Sequence, residues 1–391
     1  MQIGVDASCW SNKRGFGRFT RELLTALLAR DARNDYVFFV DSRSCSEWDF
    51  PAAARVVVAT TDASAVEAAS ASGRRSLGDV WSMSRAVWQN KIDVFFFPTV
   101  YTYFPILNRA KVVLTIHDVI AEHHPELIFP TSSGRFFWNL KLAAATRQAD
   151  LVATVSEFSR SEIADYYRYP TSKIRIITEA AKPEFALLAS KAGEQRGNGN
   201  GVSTNGRFLL YVGGISPHKN LDTLIDAFRI LRERDGATPL KLVLVGDYKD
   251  DPFYSAYPKL KEAVERYGLQ NEVVFTGFVP DDELAGLYTD ATLLVFPSIE
   301  EGFGLPAIEA MACGTPVVAS RTGSLPEVLG PAGRYFNPTS AEEMAKVIGD
   351  VLDDEPERRT MSLDGIERSR HFSWDQAAED TIAIFDELRK S

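Results

Sequence analysis

Short apolar strands alternate with helical segments along this chain, and the alternation starts afresh after a polar interruption. Strands that alternate with helices form mainly parallel sheets with helices on both faces. In the first series, strands are expected at 3–6, 36–40, 56–59, 94–97, 111–117, 151–155 and 173–177. In the second series, they are expected at 208–212, 241–245, 273–276, 292–296 and 316–319. The sequence therefore predicts an α/β fold with two doubly wound domains.

The interruption between Ala189 and Arg207 is rich in Gly, Asn and Ser, so it has little apolar surface to bury. We expect a flexible linker at 186–206 that joins a first domain at 1–185 to a second domain at 207–372. A chain of 391 residues with 45% apolar content is long enough for two hydrophobic cores.

Charge and hydropathy narrow the functional classes. A net charge of −10 argues against nucleic acid as a partner. Apolar runs such as 242–245 fall far short of the ~20 residues that a membrane-spanning helix needs. A predicted strand begins directly at Ile3, which argues against a signal peptide at the start of this sequence. A cytoplasmic protein is therefore expected. The acidic string at 247–251 lacks companion ligands, so no required metal is expected.

The strongest functional signal is the stretch 298–316, which follows a predicted strand. Gly302, Phe303, Gly304 and Leu305 predict a turn with little side-chain bulk, and Pro306 suits the first position of the next helix. The backbone amides and the helix dipole of such a turn can face a phosphate.

Two glutamates flank this turn. Glu301 could meet the hydroxyls of a sugar, and Glu309, expected in the first helical turn, could accept hydrogen bonds from a ribose. Helix capping is the alternative for Glu309, because acidic side chains favour helix N-termini anyway.

Two further polar residues follow predicted strands, so they are expected to line a cleft beyond the carboxyl ends of the sheets. Lys219 stands before a helix, where a cation opposes the helix dipole and a bound diphosphate would relieve the conflict. A solvated lysine is the alternative. A neutral imidazole at His117, with an ordinary pKa of about 6.5, could bind sugar hydroxyls or assist proton transfer. A structural histidine is the alternative.

The loop at 11–18 joins the first strand to the first helix and contains Gly15 and Gly17, whose lack of a side chain permits close approach of a ligand. Thr20 stands where a dinucleotide-binding fingerprint would have its last glycine, so an NAD site is not expected. Ordinary turn glycines are the alternative.

The string from Ser298 to Pro316 has a Glu-x7-Glu signature and resembles the retaining glycosyltransferases of family 4, also called glycosyl transferases group 1. The segment 211–220, Tyr-Val-Gly-Gly-Ile-Ser-Pro-His-Lys-Asn, resembles the mannosyltransferase-like members. The resemblance implies the GT-B fold, in which two Rossmann-like domains face each other across a cleft. It implies that the first domain binds the acceptor, that the second binds a nucleotide sugar, and that a helix at about 373–391 packs back on the first domain.

The resemblance also carries roles onto individual residues. It makes Glu301 a contact of the donor sugar and Glu309 a contact of the ribose, and it groups Lys219 and His117 with Glu301 as catalytic residues. The donor-binding residues that it implies are Gly15, Gly17, His218, Phe278, Val279, Gly302, Phe303, Gly304, Leu305 and Glu309.

The implied reaction is retaining, metal-independent transfer of a hexose from a nucleotide-diphosphate sugar to a glycan or lipid-linked glycan. The nucleotide sugar is a co-substrate, and no cofactor is implied. GDP-mannose is the favoured donor, and UDP-sugars stay open. Gly214 stands where relatives often have Arg, with His218 as a partial substitute, so a non-catalytic sugar-nucleotide-binding protein stays an alternative. A GT-B sugar-nucleotide epimerase is another. A glycoside hydrolase is disfavoured, because its neutral substrate needs no phosphate-binding turn.

The helical stretch 130–149 mixes aromatic and basic side chains. Ordinary amphipathic packing is the favoured interpretation, and a peripheral contact with the anionic inner face of a membrane is the alternative. The residues concerned are Arg135, Phe136, Phe137, Trp138, Leu140, Lys141 and Arg147.

Overall fold

The structure is a computed structural model that describes residues 1–12, 14–62, 76–129, 131–192, 206–235, 239–248 and 255–390. Most of the predicted linker, 193–205, lies outside these residues, as do Asp250 and Asp251 of the acidic string. The chain divides into two compact units. Unit 1 comprises Met1–Glu179 and Ser373–Ser391, and unit 2 comprises Ala180–Phe372.

Unit 1 is built on a parallel sheet whose described strands follow the order β3-β2-β1-β4-β5-β6-β7. They are β1 (Gln2–Asp6), β2 (Asp35–Asp41), β3 (Arg55–Ala59), β4 (Val94–Phe97), β5 (Lys111–Thr115), β6 (Leu151–Thr154) and β7 (Ile174–Ile176). Its helices are α1 (Gly15–Arg30), α2 (Ser42–Glu47), α3 (Leu77–Trp88), α4 (Ile120–His123), α5 (Pro125–Ile128), α6 (Ser132–Gln148), α7 (Glu157–Tyr167) and α16 (Trp374–Lys390).

Alternate side chains of each strand point to opposite faces of this sheet, and helices cover both faces. Phe95 and Phe97 of β4 join a buried cluster that includes Met83 of α3 and Leu142 of α6. Phe96 points the other way and meets Phe385 of α16, with 5.8 Å between ring centroids. Helices α3 and α6 therefore lie on one face, and α16 lies on the opposite face.

Unit 2 is built on a second parallel sheet, with the order β10-β9-β8-β11-β12-β13 among its described strands. They are β8 (Arg207–Val212), β9 (Leu240–Val245), β10 (Val273–Gly277), β11 (Leu293–Phe296), β12 (Val317–Ser320) and β13 (Arg334–Phe336). Its helices are α8 (Pro183–Ala192), α9 (Leu221–Asp235), α10 (Tyr257–Arg266), α11 (Asp281–Asp290), α12 (Leu305–Ala312), α13 (Leu325–Leu329), α14 (Ala341–Asp353) and α15 (Glu355–Ser369).

In both sheets the strand order reverses beside the first strand of the unit. β1 lies between β2 and β4, and β8 lies between β9 and β11. Ligands of doubly wound sheets bind in the crevice that opens at such a switch point, beyond the carboxyl ends of the strands. In unit 2 the loops that follow β8 and β11 carry Lys219 and Glu301, so the topology alone places these two residues at one crevice.

The predicted strands are all present, with ends shifted by at most two residues, and β13 was not predicted. Ser156 is the N-cap of α7 and accepts a hydrogen bond from the Ser159 amide at 3.1 Å. Residues 186–192, placed in the linker from sequence, lie in α8, where Phe185 is buried against Tyr288 of α11. Across the described residues, no helix has the length and hydropathy needed to cross a bilayer.

Candidate active site

The loop after β8 holds Lys219 in a fixed position. Residues Pro217–Lys219 form a short 3-10 turn, and Asn220 then adopts a left-handed backbone conformation with φ of 58°. The Asn220 amide group donates hydrogen bonds to the carbonyls of Pro297 at 3.0 Å and Pro338 at 2.8 Å. The His218 carbonyl accepts from the Ile299 amide at 3.0 Å. These bonds attach the Lys219 loop to the segment that leads to Glu301.

Lys219 and Glu301 form an ion pair, with 2.6 Å between Nζ and Oε1. Their side chains are only 18% and 11% exposed, so the alternative of a solvated lysine is wrong. Two opposite charges in a weakly hydrated site attract each other more strongly than they would in water. A polyanionic ligand that enters this site would meet a cation already oriented by a carboxylate.

The main chain of Glu301 is clamped by the segment that follows β12. The Ser324 amide and hydroxyl both donate to the Glu301 carbonyl, at 3.1 Å and 2.9 Å. Gly323 has a φ of +65°, and a Cβ there would lie 2.8 Å from the Glu301 nitrogen. Because only glycine suits both conditions, this close approach fixes where the Glu301 carboxylate projects.

The turn from Gly302 to Leu305 is buried, and it begins α12 one residue earlier than predicted. Gly304 precedes the helix in a left-handed conformation with φ of 96°, Leu305 is the first helical residue, and Pro306 is the second. Phe303 is 3% exposed and contacts Phe372 edge-to-face, with 5.3 Å between ring centroids. The contact between the Phe303 and Phe372 rings therefore holds the turn in position.

Glu309 is consequently the fifth residue of α12, and its predicted place in the first turn is wrong. The alternative of helix capping is wrong as well. Glu309 is 2% exposed, and its Oε2 accepts a hydrogen bond at 3.0 Å from the hydroxyl of Tyr288, which is fully buried in α11. The carboxylate is thus held inside the unit by a specific donor.

The remaining predicted residues of unit 2 lie on neighbouring loops. After β10, Phe278 is 49% exposed and Val279 is 6% exposed. The Phe278 ring therefore presents apolar surface beyond the carboxyl end of its strand. His218 contributes its carbonyl to the bond with Ile299 and is partly buried.

In unit 1, the two predicted glycines after β1 differ from each other. A Cβ at Gly17 would lie 2.0 Å from the Asn12 carbonyl oxygen, so this glycine is required by the packing of the protein itself. A Cβ at Gly15 would meet nothing within 4 Å, and Gly15 is exposed at the start of α1. The missing side chain therefore leaves room for a ligand at Gly15, whereas at Gly17 it serves the packing of the protein.

His117 lies two residues beyond β5, with both ring nitrogens facing acceptors. Nε2 lies 3.0 Å from the Pro98 carbonyl oxygen, and Nδ1 lies 3.4 Å from Oε1 of Glu179. The imidazole is also edge-to-face with Phe19 at 4.8 Å. Burial acts to lower the pKa of His117, but Glu179, the Pro98 carbonyl and Asp118 outweigh it, so the pKa is raised. The prediction of an ordinary pKa is wrong.

Four residues that hold the predicted residues in place, one in unit 1 and three in unit 2, could not be identified from the motifs. They are Glu179, Asn220, Tyr288 and Ser324. Glu179, Tyr288 and Ser324 lie outside the predicted motifs, and Asn220 is the last residue of the motif at 211–220. An asparagine between a lysine and a helix is a recognisable left-handed cap, so Asn220 alone carried a usable signal.

Two family models match the chain. The glycosyltransferase family 4 model matches residues 13–184, and the model for glycosyl transferases group 1 matches residues 195–368. O-antigen chain mannosyltransferase B of Escherichia coli is 32% identical over 280 residues, which are 71% of this chain and 70% of that protein. The chain belongs to glycosyltransferase family 4. The family expected from sequence is therefore confirmed.

Other relatives of this family 4 glycosyltransferase are longer. The serotype-specific mannosyltransferase WbdA of Escherichia coli is 33% identical over 283 residues, which are 72% of this chain but 34% of that protein. The chain thus spans about a third of the length of WbdA.

Solved structures share the fold of this family 4 protein. Sucrose-phosphate synthase from Thermosynechococcus elongatus superposes with a TM-score of 0.77 at 20% identity, covering 100% of this chain and 99% of that one. Anabaena HepE, solved in complex with UDP-glucose, has a TM-score of 0.73 at 21% identity and covers 98% of this chain and 99% of its own. The expected α/β fold of the GT-B class is confirmed.

Proposed function

We propose that this chain is a retaining, metal-independent glycosyltransferase that moves a hexose from a nucleotide-diphosphate sugar to a glycan or lipid-linked glycan. The observation that carries the proposal is the partly buried Lys219–Glu301 pair at the switch point of unit 2. A fixed cation suits a diphosphate, and a fixed carboxylate suits sugar hydroxyls. The Lys219–Glu301 pair also lies next to the start of α12, and the N-terminus of a helix favours an anion.

In the reaction, the acceptor oxygen bonds to the anomeric carbon on the face from which the diphosphate leaves. The bond between the anomeric carbon and the phosphate oxygen breaks, and the acceptor proton passes to that oxygen. Lys219 offsets the negative charge that grows on the diphosphate, so it stabilises the transition state more than the bound donor. Glu301 orients the sugar, and Glu309 orients the ribose.

The names of the relatives support a mannosyl donor. WbdA and O-antigen chain mannosyltransferase B are both mannosyltransferases, so GDP-mannose is the donor that we propose. UDP-glucose, which HepE binds, is the comparison donor. Phe278, half exposed beyond β10, offers apolar surface to a base but carries no feature that selects guanine over uracil.

The test is a donor screen with purified protein, a glycan acceptor, EDTA, and GDP-mannose, UDP-glucose or UDP-N-acetylglucosamine. We expect GDP-mannose to raise the melting temperature and to release GDP only when acceptor is present, with an α-linked product. Conversion of the sugar nucleotide without acceptor would favour an epimerase. Binding without turnover would favour a non-catalytic binding protein, and failure to bind any donor would refute the proposal.

Replacing Tyr288 with phenylalanine is expected to weaken nucleotide-diphosphate binding about tenfold, because Glu309 loses the donor that orients its carboxylate. Titration calorimetry with GDP measures this. Tyr267→Phe is the matched control, since it removes another tyrosine–carboxylate bond of unit 2, to Asp226 at 2.8 Å. An equal loss of affinity in both variants would contradict a specific role for Tyr288.

We also propose that unit 1 contacts an anionic membrane surface through α6. Ordinary packing accounts for Trp138, whose indole nitrogen donates to Glu122 at 2.6 Å, and for Lys141, which donates to the Tyr101 carbonyl at 3.0 Å. It does not account for three other apolar side chains of the helix. These are Phe136, Phe137 and Leu140, which are 65%, 57% and 59% exposed.

Helix α3, on the same face of the sheet, also exposes apolar side chains. Leu77, Trp81 and Trp88 are 88%, 60% and 61% exposed. Exposed aromatic side chains beside cations are typical of surfaces that enter a lipid headgroup region, and the cations Arg135 and Arg147 of α6 are exposed.

Changing Phe136, Phe137 and Leu140 to serine is expected to lower co-sedimentation with vesicles of phosphatidylglycerol by about tenfold or more, because three apolar side chains no longer enter the bilayer. Phosphatidylcholine vesicles and the variant Leu363→Ser, which alters a 69% exposed side chain of unit 2, are the controls. Unchanged sedimentation of the triple variant would refute this contact.

A further inference from the structure

The contacts of His117 fix the protonation state of its ring. The Pro98 carbonyl can only accept a hydrogen bond, so Nε2 must carry a proton. An ionised carboxylate also only accepts, so the 3.4 Å contact between Nδ1 and Glu179 favours a second proton on the ring. An imidazole with both protons is a cation and has no lone pair with which to take up another proton.

Burial strengthens the attraction between the charges of His117 and Glu179. The side chains of His117 and Glu179 are 12% and 8% exposed, so neither charge is well hydrated. Two carboxylates favour the charged ring, Glu179 from the segment after β7 and Asp118 from the next position in the chain. They face the ring together with the Pro98 carbonyl, which follows β4, and the uncharged ring of Phe19 in α1.

The sign of the pH dependence follows from the raised pKa of His117. The pair stabilises unit 1 fully below the ordinary imidazole pKa of about 6.5, and this contribution disappears as the pH rises through the raised pKa of the folded state. The ring therefore keeps its charge to a higher pH than an unpaired histidine would.

We infer that Glu179 is a positioning residue for the proposed transfer reaction, because it fixes the His117 ring and keeps it an imidazolium. His117 then meets the substrates as a fixed cation and does not act as the base that removes the acceptor proton. The inference rests on the proposed function, and it agrees with transfer of that proton to the leaving phosphate oxygen. Glu179 is also the last residue of unit 1 before the chain enters unit 2. Its contact with His117 therefore connects the segment after β7 to the segment after β5.

The test variant is Glu179→Gln, which keeps the shape of the side chain and removes its charge. The glutamine amide can donate to Nδ1 of a neutral ring while Nε2 still donates to Pro98, so the fold and the ring orientation should persist. Glu179→Asp retains the charge on a shorter side chain and is expected to behave more like the unchanged protein. Glu162→Gln is the matched control, because Glu162 pairs with a different histidine, His123, at 3.3 Å.

The first readout needs no activity. The chain has five histidines, so their imidazole signals can be followed by NMR with labelled histidine, and His117→Gln assigns the signal of interest. We expect the pKa of His117 to lie above about 6.5 and to fall by about one unit or more in Glu179→Gln, the effect of removing a nearby opposite charge. A His117 pKa at or below the ordinary value, or one that Glu179→Gln does not move, would overturn the inference.

The second readout links the pair to the reaction. In Glu179→Gln, kcat/KM is expected to fall as the pH rises from 6 to 8, by about tenfold more than in the unchanged protein, because the ring loses its charge over that range. Glu162→Gln should show the unchanged profile. A variant that becomes more active with rising pH would show that neutral His117 is the active form, which refutes the inference. If no donor supports transfer, the proposed function fails while the NMR result still decides whether the pair exists.

Discussion

Replacing Lys219 with alanine is expected to lower the turnover number of sugar transfer by about 10²–10³-fold, with a smaller change in KM for the donor. The lysine is fixed before the donor arrives, because Asn220 bonds its loop to two carbonyls and Glu301 holds its amine at 2.6 Å. A cation fixed in this way acts mainly on the charge that develops as the diphosphate leaves. Steady-state kinetics over a range of donor concentrations measure both quantities.

The same substitution also affects stability, and a second variant separates the two effects. Without Lys219, the Glu301 carboxylate is left unpaired with its side chain 11% exposed, which is expected to lower the free energy of unfolding by about 1–3 kcal/mol. Lys219→Met combined with Glu301→Gln removes both charges. This double variant is expected to recover most of the stability while it stays inactive.

Lys182→Ala provides a matched control for these kinetics. Lys182 also pairs with a carboxylate of unit 2, Asp281 at 2.9 Å, and its side chain is 23% exposed. Its loss should change turnover by less than about twofold, since paired surface charges contribute little. A Lys219→Ala enzyme with a raised KM and an unchanged turnover number would show that the lysine binds donor and transition state equally, contrary to the assignment.

A chain that ends at Phe372 is expected to lose the folded structure of unit 1 and to keep that of unit 2. Helix α16 buries Trp374, Ile384, Phe385 and Leu388, and side chains of this size contribute about 6–12 kcal/mol together. That amount is comparable to the whole stability of a typical domain, about 5–15 kcal/mol. Hydrogen exchange followed by mass spectrometry should show fast exchange throughout β1 to β7 and unchanged protection in β8 to β13.

A chain that ends at Leu388 is the control for this truncation, because it removes only the exposed Arg389 and Lys390 together with Ser391. It should retain the exchange pattern of the full chain. Slow exchange in the sheet of unit 1 after removal of the whole helix would show that α16 is dispensable for that fold, contrary to the burial that it provides.

The site in unit 2 could be predicted where a local pattern dictates the geometry. Lys219 and Glu301 each follow a buried strand, and the reversal of strand order between β8 and β11 brings the two loops together across 82 positions of sequence. The glycine-rich turn between Glu301 and α12 could be predicted as well. The exact helix start was not, because Gly304 closes the turn with a left-handed residue and puts Leu305 ahead of Pro306.

The supporting residues could not be predicted, because their roles depend on contacts between distant segments. Tyr288 lies on the buried face of a helix, where a tyrosine is normally part of the core. Glu179 follows a strand of three residues in a stretch without a motif. The raised pKa of His117 depends chiefly on this remote carboxylate, so it could not be predicted from the histidine and its sequence neighbours.

The chain passes from unit 1 to unit 2 after Glu179 and returns only at Ser373. Synthesis proceeds from the N-terminus, so all the strands of both sheets leave the ribosome before the helix that covers Phe19 and Phe96 of unit 1. Unit 2 is an uninterrupted stretch and can complete its core while this apolar face is still bare. The nascent protein therefore carries an unfinished N-terminal half until α16 has been synthesised, and this half is the part that needs protection from aggregation during synthesis.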